Sequence, residues 1–248
     1  MNNSYNEFAD LYDILTYDVD YDGYIAFLKE IFKRHSFAPK LMLDLACGTG
    51  TLTKKLFESG YDMIGIDSSV EMLDIARGKC DDENDILFLN QDMTEFELYG
   101  TVDVIVSALD SINYLDGYDE LFKVLKLAQN YLNYDGLFIF DINSEYKLTE
   151  ILGNNTFVYE FDNIFYTWEN ECSGNSTTFY LNFFSETADG KYERIEETHR
   201  ETIFKQDEII KLINKSGLKL CGVYGGFDFS GTTDKTERLF FVCKKQSN

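Results

Sequence analysis

Residues Leu43-Asp44-Leu45-Ala46-Cys47-Gly48-Thr49-Gly50 place a carboxylate beside two glycines at the end of an apolar run. Leu41, Met42, Leu43 and Leu45 are nearly continuous, the pattern of a strand covered on both faces. Gly48 and Gly50 let the chain turn sharply and leave bare backbone that a ligand can approach. Leu52, Leu56 and Phe57 follow at helical spacing, so the turn opens onto a helix N-terminus. The dinucleotide fingerprint Gly-x-Gly-x-x-Gly would need a third glycine where Thr53 stands. A pyrophosphate beside Asp44 would also meet like charge, whereas a sulfonium or ammonium group would be attracted.

Two further acids follow two further apolar runs. Asp67 lies 17 residues past Gly50, at the end of a strand predicted from Tyr61. In doubly wound sheets ligands bind beyond the carboxyl ends of strands, and a carboxylate there can accept two hydrogen bonds from ribose hydroxyls. As an alternative, Asp67 is an acid favoured by the dipole of the next helix. Asp92 follows the predicted strand Ile86–Asn90, next to Thr94 and Glu95, which equally suit a plain turn.

The string Asp44-x-x-x-Gly48-x-Gly50, with Asp67 and Asp92 at the next two strand ends, resembles the class I S-adenosylmethionine-dependent methyltransferases over residues 40–142. The resemblance implies that the turn, with Ala46, Gly48 and Gly50, packs against the methionine moiety of S-adenosylmethionine. Asp44 then helps to bind its amino end, and Asp67 with Ser68 its ribose. Asp92 meets the exocyclic amine of adenine and the Met93 amide meets the ring. Met72 is either an apolar wall for adenine or part of the core. Ser107 or Leu109 would offer backbone contacts to the cofactor. Tyr5–Asp13 resembles the lid helix of small-molecule members, with Tyr12 leaning over the sulfonium or sitting on the lid's apolar face.

The acceptor side is harder to read. The fourth strand ends in Ser107-Ala108-Leu109-Asp110-Ser111-Ile112-Asn113-Tyr114. DNA-amine methyltransferases carry an Asn/Asp-Pro-Pro-Tyr string here, which this chain lacks. Asp110, Asn113 and Tyr114 either face the acceptor or cap the next helix and close a turn. His199 is a candidate general base or an ordinary strand histidine. Methyl transfer is an in-line displacement for which the cofactor supplies the activation, so the protein must align the partners and exclude water. A hydroxyl acceptor needs a base such as Asp110 or His199, and a neutral amine needs little help.

These residues need a scaffold. Elements alternate helix and strand for 140 residues, which predicts a doubly wound, mostly parallel sheet. Helices are expected around Phe8–Leu15 and Tyr24–Phe32, then 51–59 and from Val70 to about Lys79, with Ser68-Ser69-Val70-Glu71 as N-cap and capping box. Strands are expected at 41–46, 61–66, 86–90, 102–109, 136–142, 218–224 and 238–244, in the family order 3-2-1-4-5-7-6 with strand seven antiparallel. Residues 145–205 read as an antiparallel β insertion, with aromatic, β-branched runs at 156–170, 176–187 and 192–204 and turns at Asn154-Asn155, Ser173-Gly174-Asn175 and Asp189-Gly190. Neither face of 192–204 is apolar enough for a core strand, so it is expected at a solvated edge or pocket rim. Similar insertions in glycine, sarcosine and amino-sugar N-methyltransferases cover the acceptor or form an interface. The expected division is 1–144 with 206–248 as the cofactor-binding domain, 1–36 being lid helices, and 145–205 as the insertion.

Composition narrows the partners. A chain of 248 residues with 44% hydrophobic residues suits one α/β domain with a small insertion. Its net charge of −22 disfavours nucleic acid and anionic membranes and suits a neutral or cationic small molecule. Five scattered cysteines imply a reducing, cytoplasmic setting without disulfides, and two histidines with no ligand spacing imply no metal site. Neither a signal peptide nor a membrane-spanning run is visible. The expectation is a methyltransferase acting on a small N or O acceptor, as a monomer or homodimer. A protein or RNA methyltransferase, or a cofactor-binding regulator without turnover, are the alternatives.

Overall fold

The structure, a computed structural model, describes residues 12–13, 16–80, 86–161, 164–187 and 189–246. Most of the helix expected around residues 8–15 lies outside them; Tyr12 and Asp13 are helical. The first complete helix, α1 (Tyr21–Arg34), starts where Asp20 accepts a hydrogen bond from the Gly23 amide at 2.8 Å. Then come β1 (Leu41–Leu45), α2 (Thr51–Glu58), β2 (Asp62–Asp67), α3 (Val70–Gly78), β3 (Leu87–Asn90) and β4 (Val102–Ser107). A 3₁₀ turn at Ser111–Tyr114 leads to α4 (Tyr118–Tyr131) and β5 (Leu132–Asn143). Strands β6 (Thr156–Phe161), β7 (Ile164–Ser173), β8 (Ser176–Glu186) and β9 (Tyr192–Thr202) precede α5 (Gln206–Ser216), β10 (Leu218–Tyr224) and β11 (Arg238–Lys245).

Seven strands form one sheet in the order β3-β2-β1-β4-β5-β11-β10, which is the expected 3-2-1-4-5-7-6. The five strands β1 to β5 pair parallel, and β11 runs antiparallel to both β5 and β10. Side-chain alternation divides the core. Leu43, Leu45, Ile105, Phe138, Phe140 and Phe241 pack with α4 and α5 on one face. Met42, Val104, Val106, Leu137, Ile139 and Phe240 pack with α1 and α2 on the other. Asp141 follows Ile139 in that second register, so β5 aims a carboxylate at α1 from within its own core face. The second sheet is antiparallel, in the order β6-β7-β8-β9, and β9 is an edge strand as expected.

Three local readings change. Ser69 is the N-cap of α3 and accepts from the Met72 amide at 3.1 Å, but Glu71 stands one position too early for a capping box and instead accepts the Ser69 hydroxyl. Strand β5 begins four residues earlier than predicted, because Leu132 already pairs with Val102. Residues Lys147–Leu152 form a short π-helical segment that buries Leu148 and Leu152 against β7 and β8.

Candidate active site

The carboxyl ends of β1, β2 and β4 converge on the glycine turn. Ala46, Gly48 and Gly50 all have positive φ (62°, 54° and 72°), which curls the loop before α2. A Cβ at Gly50 would lie 2.8 Å from the Ala76 Cβ, so this glycine lets the loop pack on α3. A Cβ at Gly48 would meet only the Tyr12 ring, at 3.8 Å. Gly48 therefore presents bare backbone to the space under Tyr12, a cradle that any side chain would fill. Asp13 fixes this arrangement by accepting from Thr49 Oγ1 (2.7 Å) and from Lys79 Nζ (2.6 Å).

Asp44 is 2% exposed and accepts from Thr53 Oγ1 at 2.6 Å. Burial, reinforced by the nearby Asp67 charge, pushes its carboxyl up to about 7. A cation in this space would favour the ionised form. Asp67 uses one oxygen for the Gly48 amide (2.8 Å) and the other for the Ser69 amide (2.9 Å). Each oxygen keeps a lone pair for a further donor, such as a diol. Burial raises the Asp67 carboxyl despite those amides. Ser68 is exposed next to it, its carbonyl accepting from Asn90 Nδ2. Asp92 is exposed and accepts from the Thr94 amide and hydroxyl through Oδ1; Met93 joins the turn. Ser107 is fully buried at the end of β4, and its Oγ has no hydrogen-bond partner. Met72 and Tyr12 pack together against Ile164, Tyr166, Leu181 and Phe183 of the second sheet, which thereby roofs this space.

The acceptor-side residues also meet. Leu109 and Asp110 both adopt left-handed φ (56° and 57°), and Asp141 holds their amides at 2.9 and 3.0 Å. Asp141 further accepts from Tyr24 (2.9 Å) and from Arg238, whose other nitrogen binds Asp110 at 2.6 Å. The Asp110 carboxylate is thus committed to a cation and is poorly placed to act as a free base. Tyr114 and His199 approach edge to face, hydroxyl to Nδ1 at 3.5 Å. Tyr114 is half-exposed (49%), but its phenol end lies among acids. Burial there, then the charges of Glu201 and Asp110, keeps its proton on, while burial lowers His199 and keeps it neutral.

Sequence reasoning did not single out Asp141, Asn143, Glu201 or Arg238. Asp141 carried a signal, since it is an acid inside the apolar run Leu137–Ile142. Glu201 carried none, because β9 is acidic along much of its length. Glu201 is 4% exposed and accepts from Asn143 Nδ2 at 2.9 Å. Burial, then the Asp110 charge, pushes its carboxyl up to about 8.

The donor set fits S-adenosylmethionine: a buried acid for an ammonium group, an acid with spare lone pairs for a diol, a bare glycine cradle and an orphaned hydroxyl at β4. No cluster able to hold a metal ion occurs among the described residues.

A doubly wound sheet with a glycine turn after its first strand, acids at three strand ends and an antiparallel roof defines a Rossmann-like transferase. A family model for a methyltransferase domain matches residues 42–136. A protein of Geobacillus sp. (strain WCH70) named as a methyltransferase is 32% identical over 248 residues, 98% of this chain and 100% of that one. The crystal structure of an S-adenosylmethionine-dependent methyltransferase from Clostridium acetobutylicum matches with a TM-score of 0.88 and 34% identity, covering 99% of this chain and 100% of that one. The dTDP-3-amino-3,6-dideoxy-alpha-D-glucopyranose N,N-dimethyltransferase of Streptomyces fradiae is 25% identical over 224 residues, 89% of this chain and 87% of that protein. The chain belongs to the S-adenosylmethionine-dependent methyltransferases, and S-adenosylmethionine is its cofactor.

Proposed function

We propose that this enzyme methylates a small-molecule acceptor, held between the ends of β4, β5 and β11 and the second sheet. The observation that carries this reading is a cavity of about 260 Å³ lined by Tyr24, Leu109, Phe227, Arg238 and Phe240, whose Arg238 binds Asp110 at the end of β4. That space suits a ring-sized molecule and not a folded protein or a nucleic acid helix. In this reading Asp44 meets the amino end of S-adenosylmethionine, Asp67 and Ser68 the ribose, and Asp92 with Met93 the adenine. Tyr12 and Met72 close over the cofactor as part of a lid, and residues 145–205 act as the unit that covers the acceptor. No described helix is long and apolar enough to cross a membrane; a cytoplasmic setting is part of the proposal.

When bound, S-adenosylmethionine supplies an activated methyl group. The chain's residues align the acceptor with it and keep water out. The distant amino-sugar relative makes an amine the first acceptor to try. The test is formation of S-adenosylhomocysteine with dTDP-amino sugars, glycine, a catechol, tRNA and a peptide library, each offered separately. Turnover with the small molecules alone supports the reading, and turnover confined to tRNA or peptides overturns it.

A further inference from the structure

We propose that Glu201 is the catalytic residue that receives the acceptor's nitrogen, and that the acceptor is a primary or secondary amine arriving as its ammonium ion. This rests on the small-molecule reading above and goes further, because it assigns the acceptor's chemistry and the group that meets it.

Glu201 sits near the end of β9, opposite Thr177 of β8, where the edge strand passes from solvent into the interior. Oε2 accepts from Asn143 Nδ2, and Oε1 accepts no hydrogen bond among the described residues. The other amide atom of Asn143, Oδ1, is buried and also lacks a donor. The pair therefore presents acceptor atoms without donors, a deficit that an ammonium group would fill. The charged and titratable neighbours supply no such donor. Arg238, on β11, spends its guanidinium on Asp110 and Asp141. Lys147, after β5, acts on Glu201 only through its field, and burial lowers its own affinity for the proton. Tyr114 and His199, on the 3₁₀ turn and on β9 itself, are both held neutral. Asp110, at the end of β4, repels the Glu201 charge. Glu201 is thus a buried carboxyl group with no hydrogen-bonded cation, which burial keeps largely protonated near neutral pH and which a cationic ligand would ionise, its proton passing to solvent.

The steps balance. The Glu201 carboxylate takes one proton from the ammonium ion, leaving a neutral amine and a carboxylic acid. The amine lone pair forms the N–C bond as the C–S bond breaks, and that bond's electron pair stays on sulfur. The methylated nitrogen leaves as an ammonium ion, and Glu201 returns its proton to solvent.

The test needs no knowledge of the acceptor. Sinefungin is a cofactor analogue that carries a primary ammonium where the sulfonium carries its methyl, so it brings a cation to the transfer position. Its binding and that of S-adenosylhomocysteine are measured by calorimetry on the full chain and on Glu201→Gln, which retains an acceptor for Asn143. Sinefungin is expected to lose at least fivefold affinity in Glu201→Gln, with S-adenosylhomocysteine within twofold of the parent. In the unmodified enzyme at pH 7, both ligands are expected to release protons as their shared amino end ionises Asp44, and sinefungin is expected to release more than S-adenosylhomocysteine, read from two buffers of different ionisation enthalpy. An unchanged affinity ratio overturns the proposal, as does equal proton release by the two ligands, a readout that stands even if the variant does not fold. Failure of the unmodified enzyme to bind either ligand would instead indict the cofactor site, and turnover limited to macromolecules the small-molecule reading.

Discussion

Asn143, the last residue of β5, donates its side-chain amide to Oε2 of Glu201 on β9 at 2.9 Å, across a buried seam between the two sheets. Asn113 reinforces the seam: its amide donates to the carbonyls of Asn143 (3.2 Å) and Thr202 (3.0 Å), and its oxygen accepts from the Asn143 amide at 2.9 Å. The second sheet is therefore fixed to the strand ends that carry the site, and β9 is held in a single register over them.

Asn113→Ala removes three hydrogen bonds at a fully buried position and leaves backbone groups of Asn143 and Thr202 unpaired. At about 1–3 kcal/mol for each unsatisfied group, a loss of roughly 3 kcal/mol is expected in urea unfolding. A change under 1 kcal/mol would mean that the seam does not hold the sheets together.

Asp67→Ala deletes the acid that holds the Gly48 amide and that, in the proposed reading, offers its remaining lone pairs to the ribose. Calorimetry should register at least a tenfold weaker affinity for S-adenosylmethionine. Unchanged binding would remove Asp67 from the cofactor site.

The two glycines should separate folding from binding. Gly50→Ala drives a methyl to within 2.8 Å of Ala76 at a left-handed φ, and is expected to destabilise the fold by roughly 2 kcal/mol. Gly48→Ala pays for its positive φ too, but its methyl enters the cradle beneath Tyr12, so its larger effect should fall on cofactor affinity. Equal damage to both properties by both variants would contradict this division.

Native Asp44 holds its proton up to about pH 7, whereas the unfolded chain releases it near 3.8. Between these values the native state binds more protons, so this contribution is full below pH 4 and lost as pH rises to 7. At about 1.4 kcal/mol per unit, even half of that displacement is worth ~2 kcal/mol. The stability of the parent relative to Asp44→Asn should fall by about that amount from acid to neutral pH. Parallel stability curves would show that Asp44 titrates normally.

Arg238→Met would leave Asp141 buried without its cation and release Asp110 from its partner. Breaking a buried pair from one side typically costs about 3–5 kcal/mol, and thermal unfolding should register a loss of that order. A variant as stable as the parent would mean that the Leu109–Asp110 turn is held by the backbone alone.

The sequence by itself determined the parallel sheet, its glycine turn and the acids at the ends of β1, β2 and β3. These depend on short-range patterns: apolar strands of four to six residues, a turn that demands glycine, and a helix start at Ser69. The antiparallel sheet was legible for the same reason, because its turn residues and alternation are local. The acceptor side was not. Glu201 is one of four glutamates between residues 193 and 201, and nothing local distinguishes it from its solvated neighbours. It becomes special because Thr202 donates to the Leu115 carbonyl at 2.6 Å and Asn113 grips the same residue, which draws the end of β9 into the interior. Arg238 likewise reads as an ordinary charge at a strand start until β11 inserts beside β5 and brings it to Asp110 and Asp141, 128 and 97 residues away. Desolvation and long-range pairing decide what those side chains can do, and both are properties of the assembled fold.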